Sequence, residues 1–272
     1  MGGLVLAVAG VQTRARVNAH SADLHRGGTG VGMGRLDDEV ALVTGASSGI
    51  GAGLATMLAR QGAAVALVAR REAALRKVAD EIEADRGTAL VAPADIGRDE
   101  DLDALVRRVR AELGPVDVLV NAAGVGVYQH VHELDPAALD LQLRVNLRAP
   151  ALLCAAVLPE MRSRGHGFVV NVASEAGVVA YPGFGAYAVS KFALCALTRL
   201  VAEENQALGI KAWAICPGMV DTPMTADAAD DVRRRFLRVA DVVGVVEGLL
   251  LQDDNVMLGP EILVRTMRNP WA

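Results

Sequence analysis

The chain has 272 residues, 52% hydrophobic but only 3% aromatic, and 27 basic against 32 acidic side chains give it a formal net charge of −5. This length suits one large α/β domain or two small ones with a substantial core, and an apolar mass of Ala, Val and Leu suits sheets covered by helices. The charge leaves no electrostatic footprint for nucleic acid.

Cys154, Cys195 and Cys216 are odd in number, widely spaced and set in apolar runs, the pattern of reduced core thiols in an intracellular protein. The histidines His20, His25, His130, His132 and His166 form no ligand set. His130 and His132 share a face of an extended segment but have no third partner, so no metal is expected.

Residues 1–37 differ in composition from the rest of the chain. Arg14, Arg16 and Arg26 alternate with small residues, and Gly27 to Gly34 has the composition of a flexible linker, so this stretch is expected to be a tail before a domain over 38–272. No strand precedes its glycines, which argues against a phosphate loop. Met33 stands just before the first expected strand, and one reading makes it the natural start. Residues 1–13 lack the basic region of a secretory signal, and Gly2 has no Ser or Thr where myristoylation needs one.

Val40 to Val43 is a continuous apolar run, as expected of a parallel strand buried on both faces. Thr44-Gly45-Ala46-Ser47-Ser48-Gly49-Ile50-Gly51 comes next, then a helix to about Arg60. The uncharged stretch from Val40 to Ala59 is long enough to cross a bilayer, but its glycines and serines make it strand, turn and helix. No membrane association is expected, and a cytoplasmic location is. Strand, glycine turn and helix together point to a dinucleotide: Gly45, Gly49 and Gly51 let the backbone approach a pyrophosphate resting on the helix N-terminus.

The second strand, 64–69, ends beside Arg70 and Arg71. An acid at this place suits a free ribose 2′-hydroxyl, and positive charge suits a 2′-phosphate, so the cofactor is read as NADP(H). Glu72 is assigned to the next helix, 72–85, where an acid suits the dipole. A third strand over 89–92 leads to Asp95 and Ile96, and a helix over 99–112 to a fourth strand, 116–120. That strand ends at Asn121-Ala122-Ala123-Gly124, whose small residues allow a flat ring to lie against backbone. One long helix over 136–164 carries Asn146, a fifth strand over 167–173 delivers Ser174, and a sixth over 211–215 ends at Cys216-Pro217-Gly218. Alternation of this kind predicts a doubly wound parallel sheet of about seven strands with ligands beyond the carboxyl strand ends.

Tyr187-Ala188-Val189-Ser190-Lys191 places a phenol and an ammonium one helical turn apart. A nearby cation favours the phenolate and eases proton release, so the pair is a candidate general acid/base.

Taken together, Thr44-Gly45-x-x-x-Gly49-x-Gly51, Asp95, Asn121-Ala122-Ala123-Gly124, Asn146, Ser174, Tyr187-x-x-x-Lys191 and Pro217-Gly218-x-x-x-Thr222 resemble the compact, single-domain short-chain dehydrogenases/reductases over about 38–265. Ala122 replaces the family's usual second asparagine. The resemblance implies a Rossmann-like fold and hydride transfer between a nicotinamide and a carbonyl or secondary alcohol. By the same resemblance Tyr187 is the general acid, and Lys191 lowers its pKa and holds the nicotinamide ribose. Ser174 bonds the carbonyl oxygen, and Asn146 positions a relay water. Ser47, Ser48, Ile50, Arg70, Asp95, Ile96, Asn121, Val220 and Thr222 are implied cofactor contacts, and a homodimer or homotetramer is implied through the helices carrying Asn146 and Tyr187.

The expected substrate walls are Val125 to His130, Val178 to Phe184 and a mobile lid over Met219 to Arg235, with Tyr128, Tyr181, Met219 and Met224 contributing. Family members reducing 3-oxoacyl thioesters often end in Asn-Gly-Gly after the last strand. This chain has Glu261 to Arg265 and Asn269-Pro270-Trp271 instead, so that substrate is the alternative. A regulatory NADP(H)-binding protein would typically lack part of the tetrad. An extended sugar-nucleotide epimerase would need a larger C-terminal domain than the about 50 residues after Gly218 provide.

Overall fold

The computed structural model describes residues 36–267. The strands are β1 Val40–Thr44, β2 Ala64–Ala69, β3 Thr88–Pro93, β4 Val118–Asn121, β5 Gly167–Val172, β6 Ile210–Pro217 and β7 Glu261–Val264. Between them lie α1 Gly49–Arg60, α2 Glu72–Ala84, α3 Asp99–Glu112, α4 Pro136–Leu143, α5 Ala149–Arg164, α6 Gly185–Asn205, the short α7 Asp230–Arg233, and α8 Val239–Leu250. All seven strands are parallel, in the order β3-β2-β1-β4-β5-β6-β7. This is the expected doubly wound Rossmann-like sheet.

The alternation of side chains between two covered faces explains why β1 and β2 read as apolar runs. In β1, Ala41 and Val43 pack with Leu54 and Leu58 of α1 and Val242 and Val246 of α8. Val40 and Leu42 point the other way, toward Leu105 and Val109 of α3 and Leu153 and Val157 of α5. Each fully buried leucine contributes about 1.5–3 kcal/mol relative to exposure. β3, one of the two edge strands, is only half-buried and ends at Pro93, a residue tolerated at a sheet margin.

Several boundaries move. Leu36, placed in the tail by composition, is 2% exposed and its amide donates to the Gln61 carbonyl, so the folded part includes it. Asp37 is described with it, and residues 1–35 of the expected extension lie outside the described residues. β4 begins two residues later than expected and takes in Asn121. The helix expected over 136–164 is two α-helices joined by a π-helical turn, Arg144–Arg148, which contains Asn146. Polar residues in this turn carry no period that distinguishes a wide turn from a regular one.

Two helical stretches, Pro136–Arg164 and Gly185–Leu208, are long and apolar enough to cross a membrane, yet about half of each is buried within the fold. Packing on the sheet accounts for their apolar character. The three cysteines are buried free thiols, and burial pushes Cys154 up to about 12.

Candidate active site

Strand order places the site. β1 is flanked by β2 on one side and β4 on the other, so successive crossovers leave in opposite directions and open a crevice at their carboxyl ends. Thr44, at the end of β1, accepts from the amides of Ala122 and Ala123 at 3.1 and 3.2 Å and so ties the β4 turn to the β1 turn. Gly45 has φ +69°, and a Cβ there would stand 2.7 Å from the Ala123 nitrogen. At Gly51 a Cβ would meet the Gly45 carbonyl at 2.3 Å. These two glycines let the turns and helix close on one another.

Gly49 faces Thr222 instead, 3.3 Å from its methyl if a Cβ were added, so the start of α1 and the segment after β6 bracket one gap. Ser48 is the N-cap of α1 but makes no capping bond. Neither it nor Ser47 has a side-chain hydrogen bond among the described residues, and the helix amides beside them are open to an anion. Ile50 packs partly against the core. Arg70 and Arg71 are exposed at the end of β2, and neither guanidinium has a hydrogen bond or ion pair among the described residues.

Asp95 uses one carboxylate oxygen to accept from the Gly97 amide at 3.0 Å. The Ile96 side chain is buried among α3 residues, so only its backbone can reach the crevice. Asn121 donates to Asn171 at 2.8 Å, and Asn171 to Thr198 at 2.8 Å, a buried polar chain across β4, β5 and α6. The Asn121 Oδ1 is buried with no partner among the described residues. At Gly124 a Cβ would lie 3.5 Å from both Asn146 Oδ1 and Lys191 Nζ, so the chain passes close to both groups. Open serine hydroxyls, an orphaned amide oxygen and a helix N-terminus fit a dinucleotide laid across these strand ends.

Past β6, Val220 is buried and pairs with Leu237, while Arg233 Nε donates to Asp221 at 3.0 Å. The start of the segment expected as a lid, at Met219 and Asp221, is thus tied to Leu237 just beyond its end. Pro217 ends β6, and the Gly218 amide donates to the Val264 carbonyl at 2.8 Å, joining this corner to β7.

The four residues implied as catalytic converge. Ser174 comes after β5, where its Oγ accepts from the Ala176 amide at 3.1 Å. Tyr187 and Lys191 are both buried on α6. Burial pushes the Tyr187 phenol up to about 12, Tyr128 adds to the rise, and the Ser174 hydroxyl turned toward it offsets part of it. Lys191 Nζ donates to the Val172 carbonyl at 2.9 Å and stands 5.8 Å from the Tyr187 ring centroid. Burial holds its pKa down to about 8. The expectation that Lys191 lowers the Tyr187 pKa therefore does not describe the protein alone, in which desolvation outweighs any help from the ammonium.

Asn146 has partners within the protein as well. Its amide nitrogen donates to the Val125 carbonyl at 2.9 Å and to Ser190 Oγ at 3.0 Å, while its oxygen accepts from the Val125 amide at 2.9 Å. Both amide hydrogens are used, so the side chain braces the Val125 loop against α6, and its oxygen keeps a second lone pair that a water could donate to. Ser190 lies inside the Tyr187 to Lys191 stretch, yet spacing alone gives it no part. Its signal is a hydroxyl on the buried face of an apolar helix. Gln142, likewise unmarked in the sequence, accepts from the Val127 amide at 2.9 Å.

A family model described as short chain dehydrogenase matches residues 39–233. The chain belongs to the short-chain dehydrogenases. A short chain dehydrogenase of Pseudocercospora fijiensis is 40% identical over 197 residues, 71% of this chain; the match spans 63% of the fungal protein's length. An uncharacterized oxidoreductase of Staphylococcus saprophyticus is 35% identical over 86% of this chain and 99% of its own. A metagenomic short-chain oxidoreductase, solved in complex with NADP, superposes with a TM-score of 0.75 at 35% identity, covering 86% of this chain and 99% of that one. As a short-chain dehydrogenase, the protein is an oxidoreductase that depends on a nicotinamide nucleotide.

Proposed function

We propose that this short-chain dehydrogenase uses NADP(H) to interconvert a carbonyl compound and a secondary alcohol. The observation that carries the reading is the convergence of Ser174, Tyr187 and Lys191 at the carboxyl ends of β4 to β6, beside the dinucleotide crevice. The nicotinamide, when bound, supplies or accepts the hydride. Tyr187, a phenol that stays protonated at neutral pH and whose pKa burial raises further, gives its proton to the developing alkoxide. Ser174 donates a hydrogen bond to the same oxygen, stabilising charge as it forms. Lys191 supplies positive charge beside the phenol and has donor capacity left for a ribose. Asn146 acts as a positioning residue through Val125 and Ser190.

The choice of NADP(H) rests on Arg70 and Arg71, guanidiniums without protein partners among the described residues at the end of β2, together with the free hydroxyls of Ser47 and Ser48. The NADP bound to the metagenomic relative supports it. Exposed Leu141 on α4 and Val189, Phe192 and Leu200 on α6 support self-association through these helices as a dimer or tetramer.

The test is NADPH oxidation against ketones, aldehydes and 3-oxoacyl thioesters, in the wild type and in Tyr187→Phe. Loss of turnover with retained NADPH binding is expected in the variant. Turnover that survives the substitution would remove Tyr187 from the chemistry.

A further inference from the structure

We infer that Tyr128, Tyr181 and Phe184 form an aromatic wall through which the enzyme selects carbonyl substrates carrying a neutral aryl group. This rests on the reductase reading above and specifies its substrate class.

The chain is poor in aromatic residues, with three tyrosines, four phenylalanines and two tryptophans, yet all three tyrosines and Phe184 meet at one place. Tyr128 lies edge-on to Tyr187 with ring centroids 5.3 Å apart, and 5.0 Å from Phe184. Phe184 lies 6.2 Å from Tyr187 and 5.5 Å from Tyr181. The rings therefore lead outward from the proposed proton donor, which is 7% exposed, to Tyr128 at 52% and Tyr181 at 38%. Scattered exposed apolar side chains need no explanation. Two half-exposed rings in contact with the ring system of the catalytic tyrosine form a surface beside the reacting atom.

The contact is built into the backbone. Gly185 has φ +29°, and a Cβ there would lie 2.4 Å from the Gln129 carbonyl, so only glycine lets the 125–130 segment approach the start of α6. That approach seats Tyr128 against Phe184 and Tyr187. The Val127 amide, held by Gln142, and the Val125 backbone, held by Asn146, fix the same segment from the other side.

The charges at this wall cancel. Glu175, the residue after Ser174, pairs with Arg265 at 2.9 Å, and Tyr181 interacts with the same carboxylate. A ligand group resting here meets ring edges and faces beside a neutralised pair, which favours a neutral group over an anion or a cation. Offset and edge-to-face ring geometry adds to plain apolar burial, so an aryl group gains over a saturated ring of the same size by about 2- to 10-fold.

The experiment compares kcat/KM for phenylacetone and cyclohexylacetone, whose carbonyls are both unconjugated and so alike in intrinsic reactivity. It is run with NADPH on the wild type, Tyr128→Leu and Tyr181→Leu, with Tyr187→Phe as the chemical control. The wild type should favour phenylacetone by about 2- to 10-fold, and the leucine variants, which keep apolar bulk, should bring the ratio toward one. The wild-type ratio alone tests the wall, independent of whether a variant folds. A ratio of one or below in the wild type, with turnover that needs Tyr187, overturns the wall and leaves the reductase standing. Tyr187-dependent turnover of other carbonyls but of neither ketone does the same. No Tyr187-dependent NADPH consumption with any carbonyl overturns the reductase reading, and the inference falls with it.

Discussion

The Lys191 ammonium is fixed to the Val172 carbonyl at 2.9 Å, so its place beside Tyr187 is set by the end of β5 as well as by the turn of α6. Burial holds its pKa near 8, below the usual lysine range. The cation is present below that pH and lost above it, whereas Tyr187, pushed up to about 12, stays protonated throughout. For ketone reduction, kcat/KM is therefore expected to be flat near neutrality and to fall as pH rises through about 8. Lys191→Met should lower kcat/KM on the order of 100-fold or more and remove that fall. A wild-type profile that stays flat to pH 10 would contradict the part given to the ammonium.

Arg70 carries the cofactor preference. With no protein partner among the described residues to satisfy, its guanidinium is available to a 2′-phosphate, and Arg70→Ala should weaken NADPH binding on the order of 10-fold or more while leaving NADH near its wild-type affinity. Titration of both nucleotides by fluorescence reads this directly, and equal weakening of the two would remove the basis for NADP(H).

Gly51 tests the crevice itself. A Cβ at this position would stand 2.3 Å from the Gly45 carbonyl, backbone that cannot swing aside. Gly51→Ala should destabilise the fold by about 1–3 kcal/mol in chemical denaturation and weaken both nucleotides together, in contrast to Arg70→Ala. Unchanged stability would mean the turn has slack that this geometry does not show.

At the opposite end of the sheet His166, just before β5, meets Glu39, just before β1, at 2.8 Å. The bond to Glu39 raises the His166 pKa above its ordinary value, with Asp117 and Asp254 acting in the same direction. A raised pKa in the folded state means the stabilisation is fully present below the unfolded value of about 6.5 and is lost as pH rises through the higher folded value. The melting-temperature gap between wild type and His166→Gln should therefore be widest below about pH 6.5 and narrow above it. A gap that widens with pH would have the wrong sign.

Much of the architecture is legible in the order of residues alone. β1 and β2 announce themselves as apolar runs because both of their faces are covered. The glycines of the first turn and the residues at the carboxyl ends mark the crevice, since strand-end positions are fixed once the alternation of strand and helix is recognised. What one-dimensional pattern cannot weigh is competition between environments. Spacing puts Lys191 near Tyr187, but only packing shows that burial dominates the phenol. Residue type marks Asn146, but only the fold shows its amide hydrogens committed to Val125 and Ser190. The meeting of Tyr128, Tyr181 and Phe184 depends on one close backbone approach at Gly185, which no local period encodes.

The wide turn at Arg144–Arg148 also sets a constraint on chain length. A regular α-helix advances about 100° per residue. This turn holds one residue more than a regular α path, so tightening it to regular geometry with that residue kept would swing everything after it by about that angle. Leu153, Val157 and Met161 of α5, all at 2% exposure or less, would leave the sheet together. Substitutions within the turn can be absorbed side chain by side chain, but its residue count sets the rotation of a whole helix.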